Sequence, residues 1–326
     1  MGSIESPVYG IFKYGYPTSQ PPSERSLYTF PEFHSIVEEK QILHDFRDSP
    51  DIVKGPAGLD VQGFTYVDHQ SALDGEDWFD HEKLEKVYIP EIVELVKRNT
   101  GANKVAIDGL TLRKTVAKEQ DGKKDFVMKK GDEHEKRVKQ TPRDSLRMPT
   151  RESAAGTEPA RTLHVDYSLN GLKTTARYSR TDIAAMAKPT IEAEEAGKKP
   201  RYAAYGVWRP LDTVKRDPLA MLDARSIEPA DLLTVETRTM SGVKEEGEVL
   251  RETIVPAPPK NPNAHRWYWM PEQKPHEAVI IKFADTAASE TNGIASGCVH
   301  GSPKLPGTEN EPVRASINCR VLAFWD

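Results

Sequence analysis

Cysteine is nearly missing from this sequence. Cys298 and Cys319 are the two that 326 residues contain, too few for a disulfide framework. The start, "MGSIESPVYG", has neither a basic n-region nor an apolar h-region, so no secretory signal is expected and the chain reads as cytoplasmic with reduced thiols. "MGSIES" fits the loose myristoylation pattern, but no basic cluster follows to supply a second anchor, and an unmodified start is expected. No run approaches 18 apolar residues, which excludes a membrane-spanning helix. Positive charge is not in excess: the net charge is −5, without the basic footprint of a nucleic-acid binder. GxGxxG, Walker, CxxC and GxSxG sequences are absent, as is any repeat period, so nothing supports a dinucleotide fold, a P-loop or an α/β-hydrolase serine. Hydrophobic content is 37%, below the globular average. A chain of this length can still bury a large core, and the composition fits such a core carrying long polar loops and inserts.

The chain is read as one catalytic domain, 1–326, with three regions. Residues 1–113 form an N-terminal arm and helical flank. The first 60 are rich in Pro, Ser and Tyr and suggest an irregular arm with short strands, with a strand or short helix near 38–46. "DWFDHEKLEKVYIPEIVELVKRNTGA" predicts the clearest helix: Leu84, Val87, Tyr88, Ile92, Leu95 and Val96 recur near a 3.6-residue spacing. Asp80 suits its cap, Pro90 a kink or new start, and Gly101 its stop. Residues 114–160 are charged and almost without periodic apolar positions. They cannot offset their ordering entropy by burial and read as an exposed insert, or as a lid ordering over substrate; His134 within it is expected to be solvated. From 161 to 326 the texture is β. The stretches "TLHVDYS", "YAAYGVWRPL", "LAMLDA", "LLTVETRT", "RETIVP", "HRWYWM", "HEAVIIKFAD", "GCVHGS" and "RASINCRVLAFW" are short, β-branched or aromatic, and punctuated by Pro, Gly, Asn and Asp. One helix, near "RTDIAAMAKPTIEAEEAG", interrupts them. The fold class is mainly β with flanking helices, a jelly roll or barrel.

Within "RTLHVDYSLNG", His164 and Asp166 sit at i and i+2, so on a strand they project from one face, about 6–7 Å apart along it. An imidazole and a carboxylate aimed at one point are two parts of a 2-His-1-carboxylate metal site; the alternative is an Asp bonded to a neighbouring His on an exposed strand. Of nine histidines, His164, His265, His276 and His300 lie in the β region. His265 and His276 begin strands at loop edges, whereas His300 ends a short strand between Gly297 and Gly301. Cys298, two residues before His300, is open to a metal role or to use as a small buried hydrophobe. Fourteen residues after His300 comes Arg314, then Ser316 in "VRASINCRVLAFW", again i and i+2. A guanidinium fork beside a hydroxyl suits a carboxylate in a dry cavity. Arg320 shares their parity and is a rival anchor.

The order "HVD…H…RxS" resembles the non-haem iron, 2-oxoglutarate-dependent oxygenases with a double-stranded β-helix (cupin-like jelly roll). "YGVWRPL", "PLAMLDARS", "HRWYWMPEQKPHEAVIIKFADT", "PVRASINCRVLAF" and, upstream, "GFTYVDHQSALDGEDWFDHEKLEKVYIPEIVELVKRNTGANKV" are similar to the fungal group of gibberellin desaturases and relatives of the cephamycin methoxylation proteins. The resemblance covers most of the chain outside 114–160. It implies that His164, Asp166 and His300 bind Fe(II) and that Arg314 and Ser316 hold the distal carboxylate of 2-oxoglutarate. It further implies that O2 and these cofactors drive hydroxylation, desaturation or ring closure at a C–H bond of a small molecule. Two departures stand out: the charged insert is long, and "VAIDGLTLRK" lacks a His associated with that strand in relatives.

Further pocket residues follow from position alone. Trp208 and Arg209 are candidates for facing the pocket, with Arg209 pairing a carboxylate; core packing and a surface ion pair are the alternatives. Tyr268 and Lys282 are placed beside the pocket by analogy. The partners expected are a small-molecule substrate, no nucleic acid and no membrane, for a monomer or homodimer. Two other classes stay open: a jelly-roll accessory subunit, which would have no need to retain three ligands and an Arg, and a zinc enzyme, for which no fourth ligand or glutamate base is evident.

Overall fold

A computed structural model describes residues 7–117, 129–244, 247–261 and 264–325. Among the described residues the strands are β1 (Tyr9–Pro17), β2 (Phe33–Asp45), β3 (Phe64–Asp68), β4 (Lys104–Arg113), β5 (Arg201–Pro210), β6 (Ala220–Leu222), β7 (Leu232–Met240), β8 (Glu248–Pro256), β9 (Trp267–Trp269), β10 (Glu277–Asp285), β11 (His300–Gly301) and β12 (Ser316–Trp325). They form two five-stranded sheets, β1-β2-β9-β6-β11 and β3-β10-β5-β12-β4, while β7 and β8 pair as a ribbon. The chain is mainly β with a few flanking helices.

Period-two alternation sets the layers. On β5 and β12, Tyr202, Ala204, Trp208, Leu322 and Phe324 face a core shared with Tyr14, Leu43 and Met221 of the other sheet. The alternate residues Tyr205, Val207, Ile317, Cys319 and Val321 face a second core. The helix Ile89–Thr100 covers that second core with Ile92, Leu95 and Val96, all buried. Each such side chain contributes about 1.5–3 kcal/mol relative to exposure. Burial on both faces is why β5, β10 and β12 read as near-continuous apolar runs. The start and stop signals hold. The Asp80 carboxylate accepts from the backbone N–H of Glu82 and Lys83, a π-helical turn spans Leu84–Tyr88, Pro90 sits in the first turn of the next segment, and Gly101 ends it at φ 73°.

Several elements differ from expectation. Residues 9–45 are not an irregular arm: β1 and β2 pair antiparallel in register from Tyr9↔Ile42 to Pro17↔Phe33 and extend the first sheet, because Phe12 and Tyr14 alternate inward along β1. The run "TLHVDYS" is extended but joins neither sheet; it makes isolated bridges only. A helix at Leu169–Tyr178, capped by Ser168, follows it and was not anticipated. Part of the charged insert, 118–128, lies outside the described residues. The rest carries helices Glu133–Gln140 and Arg151–Gly156. It has little apolar periodicity because ions anchor it: buried Glu135 bonds Arg238 at 3.2 and 3.3 Å, and Ser26 donates to Asp132 at 2.8 Å. His134, expected in solvent, is half-buried with Nε2 3.1 Å from the Leu27 carbonyl. No helix is long and apolar enough to cross a membrane among the described residues.

Candidate active site

His164 and His300 meet through a short antiparallel bridge: His300 N–H donates to the His164 carbonyl at 2.9 Å and His164 N–H to the His300 carbonyl at 3.1 Å. Residues opposite each other in such a bridge project to one side, and the imidazole centroids lie 4.6 Å apart. On its other edge the 161–167 segment is pinned by Val165, which exchanges two backbone bonds with Ile254 of β8. Extended geometry then puts Asp166 on the His164 face, with Oδ1 3.5 Å from His164 Nε2. One ligand atom from each of His164, Asp166 and His300 lies within 4.8 Å of the others, the one such group of metal-capable side chains among the described residues.

The protonation states suit a cation. His164 Nδ1 lies 2.8 Å from the Thr162 carbonyl and His300 Nδ1 3.0 Å from the Cys298 carbonyl. A carbonyl only accepts, so each Nδ1 is the donor and Nε2 is the ring nitrogen left for another partner. Burial, reinforced by neighbouring His164, lowers His300 to about 4 and keeps it neutral. Burial would raise the Asp166 carboxyl, but Arg320 and then His164 overcome it and hold it well below the usual carboxylate range. Phe283 stacks on His300 at 5.4 Å and 18°. Gly206 makes room for that ring, since a Cβ there would fall 2.3 Å from Phe283.

Two residues after His300, Ser302 accepts from a second buried cation. Arg314 precedes β12 and is buried, with its guanidinium 5.3 Å from the centre of the Trp208 ring. Nη1 donates to the Asp217 carbonyl and, at 3.2 Å, to Ser302 Oγ; neither is a carboxylate. Burial, with Arg113 next, pushes Arg314 down to about 9. Arg314 Nε, Ser316 Oγ and Asn318 Oδ1 are buried with no hydrogen-bond partner among the described residues. A buried guanidinium with an unsatisfied Nε, two residues before an unsatisfied hydroxyl on the same strand, suits an anion such as a carboxylate.

A family model described as "YDMC: Oxidoreductase/YMDC permease-like domain" matches residues 14–324. The chain belongs to this family. It is 36% identical over 293 residues to the "Gibberellin cluster GA4 desaturase" of Gibberella fujikuroi, with 82% of each chain covered. It is 28% identical to the "Alpha-ketoglutarate-dependent dioxygenase phiK" of a fungal species, covering 82% of this chain and 79% of that one. Among solved structures, the iron and alpha-ketoglutarate-dependent endoperoxidase NvfI shares the fold, with a TM-score of 0.60, 22% identity and 98% of both chains covered.

Within this oxidoreductase family member, the structure brings together His164, Asp166 and His300, and puts Arg314 over the Trp208 ring and against Ser302, two residues after His300. The other candidates have partners of their own. Arg209 alternates with Trp208 and so faces the opposite side of β5; its guanidinium is spent on the His69 and Pro275 carbonyls at 2.6 and 2.7 Å and on His69 Nδ1. Tyr268 is in line with His300 across Met221, two strands away, but its hydroxyl is tied to Asp51 at 2.8 Å and its ring lies against His44 and Phe64. Lys282 is buried between Asp60 and Asp285, at 2.6 and 2.8 Å. Cys298 is buried and donates weakly to the Leu222 carbonyl, so it serves as the small hydrophobe. Arg320, the rival anchor, does face inward, but pairs with Asp166 at 3.2 Å. Arg113 was missed. It stands opposite Ser316 across β4 and β12, and its guanidinium donates to the Glu158 carbonyl. The signal was available in the alternation of "LTLR", whose Leu110 and Leu112 face the second core.

Proposed function

We propose that the protein is an Fe(II)- and 2-oxoglutarate-dependent dioxygenase acting at a C–H bond of a small molecule in fungal secondary metabolism, by hydroxylation, desaturation or oxidative ring closure. The two sheets serve as the halves of a double-stranded β-helix, and 1–326 acts as one catalytic domain. The observation that carries this reading is the trio: two imidazoles whose Nδ1 atoms are tied to backbone carbonyls, and one carboxylate, with one ligand atom from each within 4.8 Å of the others. That donor set fits a facial 2-His-1-carboxylate iron site with open positions.

His164, Asp166 and His300 would hold Fe(II). Arg314 and Ser316 would take the distal carboxylate of 2-oxoglutarate, with Trp208 as the wall beneath the guanidinium. When bound, the iron supplies oxidation of a C–H bond by O2, coupled to decarboxylation of 2-oxoglutarate to succinate. The chain's own part is orientation and exclusion of water: the Thr162 and Cys298 carbonyls fix the imidazole tautomers, and Phe283 packs one face of His300. Oxidative outcome depends on where the substrate sits, since about 1 Å of misplacement redirects or stalls such chemistry. The substrate is a small molecule, and the protein acts in the cytoplasm as a monomer or homodimer.

The test is succinate formation from 2-oxoglutarate with purified protein, Fe(II) and O2. His164→Ala, Asp166→Ala and His300→Ala should each abolish it while far-UV circular dichroism stays unchanged. Undiminished turnover in any one of them would remove that residue from the triad.

A further inference from the structure

We propose that Arg320 is a positioning residue that reserves Asp166 Oδ2, so that the carboxylate reaches the metal through Oδ1 alone. This rests on the reading of His164, Asp166 and His300 as the iron ligands.

The geometry of β12 prepares Arg320 for that task. Ser316, Asn318 and Arg320 alternate on the inner face, while Ile317, Cys319 and Val321 face the second core. Arg320 is flanked in its own row by Gly206 of β5 and Gly109 of β4. Neither neighbour carries a side chain of its own, and the space over Gly206 is taken by the Phe283 ring that stacks on His300. The β4–β12 register shifts immediately after Arg320, and a bulge of this kind re-aims a side chain. Arg320 Nε donates to Asp166 Oδ2 at 3.2 Å, while Oδ1 is the oxygen that faces His164 Nε2 at 3.5 Å. The two carboxylate oxygens are therefore divided between a cation of the protein and the imidazole side of the trio. The pairing also shows in the charges: Asp166 stabilises the Arg320 cation, and Arg320 holds the Asp166 carboxyl low.

The division has a chemical consequence. A six-coordinate metal with three protein atoms keeps three positions, two for a chelating 2-oxoglutarate and one for O2. A carboxylate free to rotate could take two positions and leave one too few. Outer partners that orient a ligating carboxylate typically contribute 10–100-fold in metal affinity.

Cobalt(II) is a visible probe for the site and avoids turnover. Apo-protein would be titrated with Co(II) anaerobically, then with 2-oxoglutarate, following the d–d bands. The proteins compared are wild type, Arg320→Met, Arg320→Lys, Asp166→Ala and the Arg320→Met/Asp166→Ala double variant. Arg320→Met should weaken Co(II) binding about 10–100-fold and lower the band intensity, as a higher coordination number does. Arg320→Lys, which keeps the charge but cannot donate from the Nε position, should fall between. Placed on Asp166→Ala, the Arg320→Met change should cost nothing further. The inference is overturned if Arg320→Met binds Co(II) and 2-oxoglutarate like wild type, or if its loss persists undiminished in the Asp166→Ala background. Should Arg320→Met fail to fold by circular dichroism, Arg320→Lys decides the same comparison. Failure of wild type to bind Co(II) in a His164-dependent way would instead sink the triad reading, an outcome distinct from a silent Arg320.

Discussion

At the scale of single residues, the recess around Arg314 makes the sharpest quantitative demand. Its guanidinium is buried and held by a carbonyl and a hydroxyl, and both its Nε and the Ser316 hydroxyl two residues on are without a hydrogen-bond partner among the described residues. Arg314→Leu should weaken 2-oxoglutarate binding by about 2–5 kcal/mol, on the order of 30- to several-thousand-fold, as expected for truncating one partner of a buried charge pair. Ser316→Ala removes one hydroxyl bond to a charged group, roughly 1.5–3 kcal/mol, and should cost less. Anaerobic titration of the metal-loaded variants with 2-oxoglutarate measures both, and metal binding should persist in each. An Arg314→Leu protein that binds the co-substrate normally would move the anchor elsewhere, with Arg113 the next candidate. The inward parity of Ser316 was legible in the sequence. Arg209 was misread at this same scale, although the rule that exposes it is elementary. Neighbouring residues on a strand point to opposite faces, so a Trp208 that faces Arg314 obliges Arg209 to face the other core.

At the scale of elements, the β-rich half was legible because its strands are short, β-branched or aromatic and punctuated by breakers: each of β5 to β12 overlaps a stretch that carries those signals, though β8 begins three residues before its stretch. The insert was legible only as a composition. Its charge precludes a packed apolar face, and the structure anchors it through a long-range ion pair that no local pattern announces, Glu135 with Arg238, 103 residues apart, backed by the local i,i+4 pair of Glu135 with Lys139 at 2.8 Å. Burial raises the Glu135 carboxyl, but Lys139 and Arg238 outweigh it and bring it down to about 2, from an ordinary 4.5. A depressed carboxyl contributes stability that is complete above its unfolded value and fades as pH falls towards its folded one. The helix Glu133–Gln140 should therefore loosen between about pH 4.5 and 2, which limited proteolysis within 129–160 would detect. Arg238→Met, which leaves Glu135 buried without its guanidinium, should cost about 3–5 kcal/mol and produce the same protease sensitivity at neutral pH. Neutral-pH resistance equal to wild type would show that the ion pair does not hold the insert. The glycine at 206 works at this scale too: it lets Phe283 lie across β5 and reach His300, a contact between sheets that depends on a missing Cβ.

At the scale of the whole molecule, the site is a junction. His300 comes from β11, an edge of the first sheet; Ser316 and Arg320 come from β12, inside the second; His164 and Asp166 come from a segment in neither sheet, bridged to His300 on one side and to β8 on the other. The sheet orders themselves were not legible, because β11 pairs with β6 some 80 residues earlier and β9 lies parallel to β2 across more than 220. Such pairings are fixed by the shared core rather than by local propensity. The order of the site residues survived that ignorance because bridge and strand parity are local. A ligand seated at this junction should therefore stabilise the molecule globally. Binding to the native state alone adds RT ln(1 + [L]/Kd), about 2.7 kcal/mol at 100 times Kd. One kcal/mol shifts Tm by about 2–4 °C in chains of 150–250 residues, and less in a longer chain. Saturating Co(II) should thus raise Tm by several degrees, and 2-oxoglutarate should add a second rise only when the metal is present. His164→Ala should remove both steps, since the chelate has no metal to join. Arg314→Leu should keep the first and lose most of the second. A 2-oxoglutarate shift without metal, or a metal shift that survives His164→Ala, would mean that the stabilising ligand binds away from the junction and that the trio does not hold the metal.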